Sequence, residues 1–317
     1  MSNRIQTSIK LIITLLAFGF IVWKLKQFDN LPEAWELFTK QLRNSPLVWV
    51  FAALLGMPLN FIFEIIKWNL LIRKCHPLTF RLASRAVFSG LTMAMLTPNR
   101  IGEIFSRVFV LPKEKRIEGI GYSGVNSLAQ MVIVQLFGLI GMGILLLQLP
   151  YEDNLAHPVT YWVISVSIVI SILLVLIFMN LNWIIRIIKF IRLDKKFPGL
   201  RQAFQSLSSH DKWLALGLSA AKYITFNLQF YFLIRYFGVD VTVGIGLPAI
   251  MTIFLLLNFF PVIAIGEAGI RGSVTLLILG LFSDADLGIL VSSLILWILN
   301  VALPALAGSF LLRNIKF

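Results

Sequence analysis

The sequence predicts an all-α polytopic membrane protein with about six full transmembrane helices. Two further helical hairpins, re-entrant or doubly crossing and of opposite orientation, would complete it as an inverted repeat. Three observations carry this expectation. Apolar residues fill 58% of the 317 positions and charged residues only 14%, against roughly half and a quarter in a soluble domain. The apolar residues fall in long unbroken runs, not in the short alternating segments of a barrel. A short motif also occurs twice: Pro98-x3-Gly102-Glu103-x3-Arg107 and Pro261-x4-Gly266-Glu267-x3-Arg271.

A bilayer core is spanned by about 20 apolar residues, and runs of that kind cover residues 8–25, 46–70, 119–149, 159–180, 213–237 and 286–312. The first follows Arg4 and Lys10 in the manner of a signal peptide. It ends, however, in Trp23-Lys24-Leu25-Lys26 with no small-residue cleavage site, so it reads as an uncleaved span. Residues 29–43 are mixed in charge and suit a short surface helix. Two apolar regions remain, 82–111 and 247–283, and these carry the motif. The whole chain, 1–317, reads as one transmembrane domain.

Charge placement orients the spans. Lys67, Arg73, Lys74, Arg81 and Arg85 have no acidic residue among them, and Arg186, Lys189, Arg192, Lys195, Lys196, Arg201 and Lys212 face only Asp194 and Asp211. Both stretches should be cytoplasmic, whereas the connection 151–158, with Glu152 and Asp153, should lie outside. The region 82–111 then enters and leaves on the inside, and 247–283 on the outside. Two such interrupted segments in corresponding halves are the signature of an inverted repeat whose broken helices meet near the midplane. Both termini would be cytoplasmic.

The motif residues have separate physical roles. Pro98 and Pro261 lack an amide proton and should end helices. Gly102, Gly266 and Gly269 permit tight returns and close backbone approach. Glu103 and Arg107, like Glu267 and Arg271, stand at i,i+4 and share one helical face. They are either internal ion pairs that offset burial or, for the arginines, clamps for a headgroup phosphate. Arg100 is a candidate first phosphate contact. Glu64 and Lys67, at i,i+3, suit a pair near the cytoplasmic end of their span. Lys222, Asn126, Gln130 and Glu64 are candidates for a polar cavity, while Asn258 and Asn300 suit packing.

Several function classes find no support. The net charge of +13 collects beside apolar spans, which argues for membrane topology and anionic lipid rather than nucleic acid. The single Cys75 and the dispersed His76, His157 and His210 offer no disulfide and no metal cluster. No cofactor is expected. No nucleophile elbow, Walker A sequence or zinc-protease motif is present, so an enzyme is not expected.

The run from Leu96 to Arg107, Leu-Thr-Pro-Asn-Arg-Ile-Gly-Glu-Ile-Phe-Ser-Arg, resembles the first motif of the lysylphosphatidylglycerol synthase transmembrane-region family, also called flippase-like domain proteins. Pro261 with Gly266 to Arg271 resembles its second motif. That motif often reads Gly-Gly-x-Gly-x-Arg-Glu; here Glu267 replaces the second glycine and Gly272 the glutamate. The resemblance implies a bacterial inner-membrane lipid flippase that passes a polar or anionic, possibly aminoacylated, phospholipid headgroup between the hairpins. Synthases of the family carry a soluble aminoacyl-transferase domain after the membrane part. This chain ends at Phe317, just past its last span, so synthase activity is not implied. The alternatives are a small-solute or ion transporter on the same hairpins, or the membrane subunit of a lipid-modifying enzyme.

Overall fold

The computed structural model describes residues 31–97, 100–148, 158–190, 192, 197–260 and 264–312. The expected span 8–25 and the breakers Pro98 and Pro261 lie outside the described residues. Every regular element among the described residues is helical.

The surface helix predicted at 29–43 is α1, Leu31–Asn44, with Trp35 exposed and Phe38 buried against Phe237, the ring centres 6.2 Å apart. Next come α2, Leu47–Ile72, and α3, Phe80–Leu96, which starts at Thr79, whose hydroxyl accepts from the Leu82 amide. After the first break lie the six-residue α4, Ile101–Ser106, a 3-10 turn over Arg107–Val110, and α5, Arg116–Gln148. Helices α6, Pro158–Met179, α7, Asn182–Phe190, and α8, Pro198–Gln205, follow. Then comes α9, Ser209–Tyr236, opened by a reciprocal capping box between Ser208 and Asp211. It closes at Gly238, whose φ of +83° few other residues tolerate, with the Val239 amide bonded back to the Ile234 carbonyl. Helix α10, Val243–Leu257, precedes the second break, and α11, Ala264–Leu279, follows it. The described chain finishes with α12, Asp286–Trp297, a π turn over Ile298–Ala302, and α13, Leu303–Leu312.

Four stretches are long and apolar enough to cross a bilayer: Leu47–Ile72, Lys113–Gln148, Tyr161–Met179 and Asp286–Leu311. The chain is therefore a multi-pass helical membrane protein. The expected span 213–237 is present as α9, 28 residues long, but it is not among those four. Its polar residues Lys222, Asn227 and Gln229 explain why. Helix α9 is an interior helix, packed on α2, α5, α10 and α12. Asn227 and Gln229 are buried there, and Lys222 reaches across to Glu64 on α2.

The packing is reciprocal between the two motif regions. Helix α5, which follows the first break, packs on α10; α13, near the end of the chain, packs on α3; α2 packs on α9. Small residues allow these close approaches, as in helix pairs that meet in lipid. A Cβ at Gly138 would stand 2.6 Å from Leu255 Cβ, and one at Gly56 would stand 3.1 Å from Gln229 Cβ. On the other side of the molecule, Thr92 Oγ1 of α3 donates to the Ala305 carbonyl of α13 at 2.7 Å.

The first motif is a tight return. Thr97 spans the break, its hydroxyl donating to the Met93 carbonyl and accepting from the Gly102 amide, both at 2.8 Å. A Cβ at Gly102 would stand 2.5 Å from Met93 O, and one at Gly90 would stand 2.9 Å from Arg107 Cγ. The pairings 93 with 102 and 90 with 107 place α4 antiparallel to α3. The second arms differ in length: α4 ends after six residues, whereas α11 runs for sixteen. The two motif regions also meet, α11 touching α3.

Candidate functional site

Glu64 is the centre of the charged site. It stands on the buried stripe of α2 with Asn60, Lys67 and Leu71, positions that recur at helical spacing. One carboxylate oxygen, Oε1, accepts from Asn126 Nδ2 at 2.8 Å and lies 2.7 Å from Arg107 Nη1. The other, Oε2, lies 2.7 Å from Lys222 Nζ and 3.2 Å from Lys67 Nζ. Lys67 is fully buried and donates also to Gln130 Oε1 at 3.3 Å and Ser219 Oγ at 3.1 Å. A carboxylate buried among three cations is tolerated because they neutralise it; any of them alone would be costly there.

From Glu64 the charges alternate in sign across both motif copies. Arg107 joins Glu64 to Glu103. Arg100 lies 3.6 Å from Glu103 and 3.8 Å from Glu267, and so links the first copy to the second. Glu267 then accepts from Arg271 Nη2 at 2.8 Å. Arg100 has left-handed backbone angles, φ 58° and ψ 22°. For a residue with a long side chain this conformation is strained and is found mainly where function or packing imposes it.

These groups line a cavity of about 750 Å³. Its charged lining is Glu64, Glu103 and Glu267 against Arg100, Arg107, Lys222 and Arg271, with Lys67 behind Glu64. With every group ionised, four lining cations oppose three carboxylates, so the cavity carries surplus positive charge. The rest of the lining is largely apolar and aromatic, including Phe61, Phe226, Phe254, Phe259 and Phe260. A belt of amides closes another side: Asn60 donates to Asn300 Oδ1 at 3.1 Å, and Asn300 donates to Gln229 Oε1 at 3.0 Å. Asn300 lies in the π turn before Pro304, where the missing proline amide relaxes the helical ladder.

The structure brings together Arg100, Glu103, Arg107, Glu267 and Arg271, as well as Lys222, Asn126 and Gln130. Both i,i+4 pairs form as the spacing predicts. Gly102, Gly266 and Gly269 are buried. Two expectations need revising. Glu64 lines the cavity, as one reading of it expected, but its pair with Lys67 is part of a network of which Glu64 is the hub and not a peripheral ion pair. Asn258 and Asn300 both line the cavity, and Asn300 packs helices together as well. Sequence reasoning also gave Asn60 no role. The one local signal was the stripe Asn60, Glu64, Lys67, three polar residues on one face of an otherwise apolar helix.

Residues 8–308 match the family model described as "Lysylphosphatidylglycerol synthase TM region". No curated protein matches the chain.

Proposed function

We propose, from the premise that the chain belongs to the lysylphosphatidylglycerol synthase TM region family, that it is a lipid flippase of the bacterial inner membrane. The family's name ties this membrane protein to lipid handling. More specifically, the protein moves a polar phospholipid headgroup across the bilayer through the cavity between the two motif regions. One observation carries this. A line of seven charged groups from α2 to α11 faces a cavity whose other walls are largely aromatic and aliphatic. An amphipathic guest suits such a space, with its headgroup on the charges and its acyl chains against the apolar walls.

In this reading the two motif regions are oppositely oriented hairpins of an inverted repeat, with both termini cytoplasmic. Packing of α5 on α10 and of α13 on α3 supports it, since the pseudo-two-fold axis of an inverted repeat would exchange those pairs. Broken helices in lipid need partners for their freed backbone groups, and Thr97 supplies one at the first break. The protein catalyses no covalent step. Cations among its charged groups bind and release the headgroup while the others hold them in place, and motion of the hairpins against the α2–α9 pair alternates access.

The test is a proteoliposome assay with fluorescent phosphatidylglycerol and a membrane-impermeant quencher. Protein-dependent quenching beyond the outer-leaflet fraction is expected, and its loss in Arg271→Ala. Absence of protein-dependent exposure for every bacterial phospholipid tried would overturn the reading.

A further inference from the structure

The final arginines of the two motif copies are equivalent in sequence but not in their surroundings. Arg107 is 2% exposed; its Nη1 lies 2.7 Å from Glu64 and its Nη2 bonds Glu103. It is held between two carboxylates, although Nε and Nη1 make no hydrogen bond among the described residues and Nη1 meets Glu64 only as an ion pair. Arg271 has one carboxylate, Glu267, and meets it through Nη2 alone. Its Nε and Nη1 are buried and have no hydrogen-bond partner. Buried polar groups are nearly always satisfied, so Arg271, with one carboxylate where Arg107 has two, has the greater capacity for an anionic partner. The Phe254 ring, 5.6 Å from the guanidinium carbon, restrains Arg271 from the other side.

Arg100 is the second underused cation. Its side chain is 41% exposed, and its two carboxylate contacts, at 3.6 and 3.8 Å, are looser than any other link in the network. Glu267 therefore serves two arginines at once, whereas Glu64 and Glu103 already hold Arg107 from both sides. The remaining lining cation, Lys222, is held by Glu64 at 2.7 Å. At the α11 side of the cavity, Glu267 is thus the carboxylate that Arg100 and Arg271 share.

We infer that Arg271 and Arg100 form an anion-binding pole for a phosphate or phosphodiester group, and that Arg107 is a positioning residue that does not touch it. Guanidinium donors match phosphate oxygens in number and geometry. A phosphodiester anion would add a negative charge beside two arginines that share Glu267. Glu267 holds the two arginines apart when the pole is empty and yields them when the anion arrives. As a lipid site this rests on the translocation reading above, but the pole itself requires only the chemistry of the cavity.

The test measures binding and not transport, so the two readings can fail separately. The full chain is purified in detergent, and native mass spectrometry counts bound phosphatidylglycerol, with diacylglycerol of the same chains as the phosphate-free control. One phosphatidylglycerol per chain is expected, with diacylglycerol retained far less. Arg271→Gln and Arg100→Gln should each weaken phosphatidylglycerol binding by about 10-fold or more, the worth of one charge-assisted hydrogen bond. Arg107→Gln, assayed below its unfolding temperature, should stay within about 3-fold of wild type, less than one such bond. Where Arg271→Gln does not fold, Arg271→Lys keeps the charge, loses the planar donors and should still bind more weakly. Glycerol 3-phosphate and inorganic phosphate are added as competitors. Displacement by either assigns the pole to free phosphate compounds; retention assigns it to lipid phosphate, and both outcomes support the pole. Equal retention of diacylglycerol, unchanged binding in both Arg271→Gln and Arg100→Gln, or a larger loss in folded Arg107→Gln than in Arg271→Gln would overturn it.

Discussion

Replacing Glu64 with Gln keeps the side chain's size and removes the charge that three cations share. Lys67, Arg107 and Lys222 all lie within 3.2 Å of the carboxylate. Their dependence on it differs. Arg107 keeps Glu103, and Lys222 is 25% exposed at its side chain. Lys67 has no exposure, and its other partners, Gln130 and Ser219, are neutral. The substitution therefore strands one ammonium in the protein interior and turns an amide N–H toward cations that need an acceptor. Leaving one member of a buried pair uncompensated costs about 3–5 kcal/mol. At about 2–4 °C per kcal/mol for chains somewhat shorter than this one, the expected fall in unfolding temperature is on the order of 10 °C. Thermal unfolding in detergent, followed by tryptophan fluorescence, measures it. The double substitution Glu64→Gln/Lys67→Met removes the stranded charge along with its partner. It should be more stable than the sum of the two single effects predicts, by a coupling energy of about 0.5–3 kcal/mol. A Glu64→Gln loss below about 1 kcal/mol, well short of the range for a stranded buried charge, or strict additivity in the double variant, would refute the hub.

Three further outcomes follow from local geometry. Gly102→Val places carbon 2.5 Å from the Met93 carbonyl oxygen and 2.6 Å from Thr97 Oγ1. It should force α4 off α3 and cost about 1–3 kcal/mol, read as a lowered unfolding temperature in the same assay. At the start of α9, burial acts to raise the Asp211 carboxyl, but hydrogen bonds from Ser208 and the Lys74 ammonium outweigh it and hold the group at about 2. A depressed folded pKa contributes stability above the ordinary carboxylate range and loses it as pH falls through the folded value. Asp211→Asn should therefore be less stable than wild type at pH 6, with the gap closing between about pH 4 and pH 2, close to the ordinary and lowered carboxyl values; a constant gap would contradict the assignment. In the turn after α2, burial and the Glu118 carboxylate push the Cys75 thiol up to about 11. Maleimide labelling of intact protein at pH 7.5 should be on the order of 100-fold slower than for a free thiol and should climb with pH. In right-side-out and inverted vesicles, an impermeant maleimide at pH 9 should reach Cys75 from the cytoplasmic side, as the proposed topology requires.

Features that depend on neighbours along the chain were legible before any fold was known. Long apolar runs define the membrane class because a bilayer leaves each backbone group no partner outside its own helix. The pairs Glu103–Arg107 and Glu267–Arg271 form because four residues make about one turn. The caps at Ser208–Asp211 and Gly238 follow from short-range chemistry in the same way. The polarity of α9 was also visible in its sequence, although the reason for it, a place packed among other helices, was not.

What the sequence could not reveal is which faces meet. Glu64 was readable as one member of an i,i+3 pair with Lys67; its contacts to Asn126 and Lys222 cross 62 and 158 residues of chain. Arg100 was a residue beside a break; its left-handed backbone and its bridge to Glu267 depend on the packing of α11 against α3. The two motif arginines are spelled alike, yet one lies between two carboxylates and the other meets one, through Nη2 alone. Helical periodicity decides which residues share a face, and that is written locally. The tertiary fold alone decides which charges come within reach of one another, because at these buried sites the Coulomb and desolvation terms depend on distances set by helix packing.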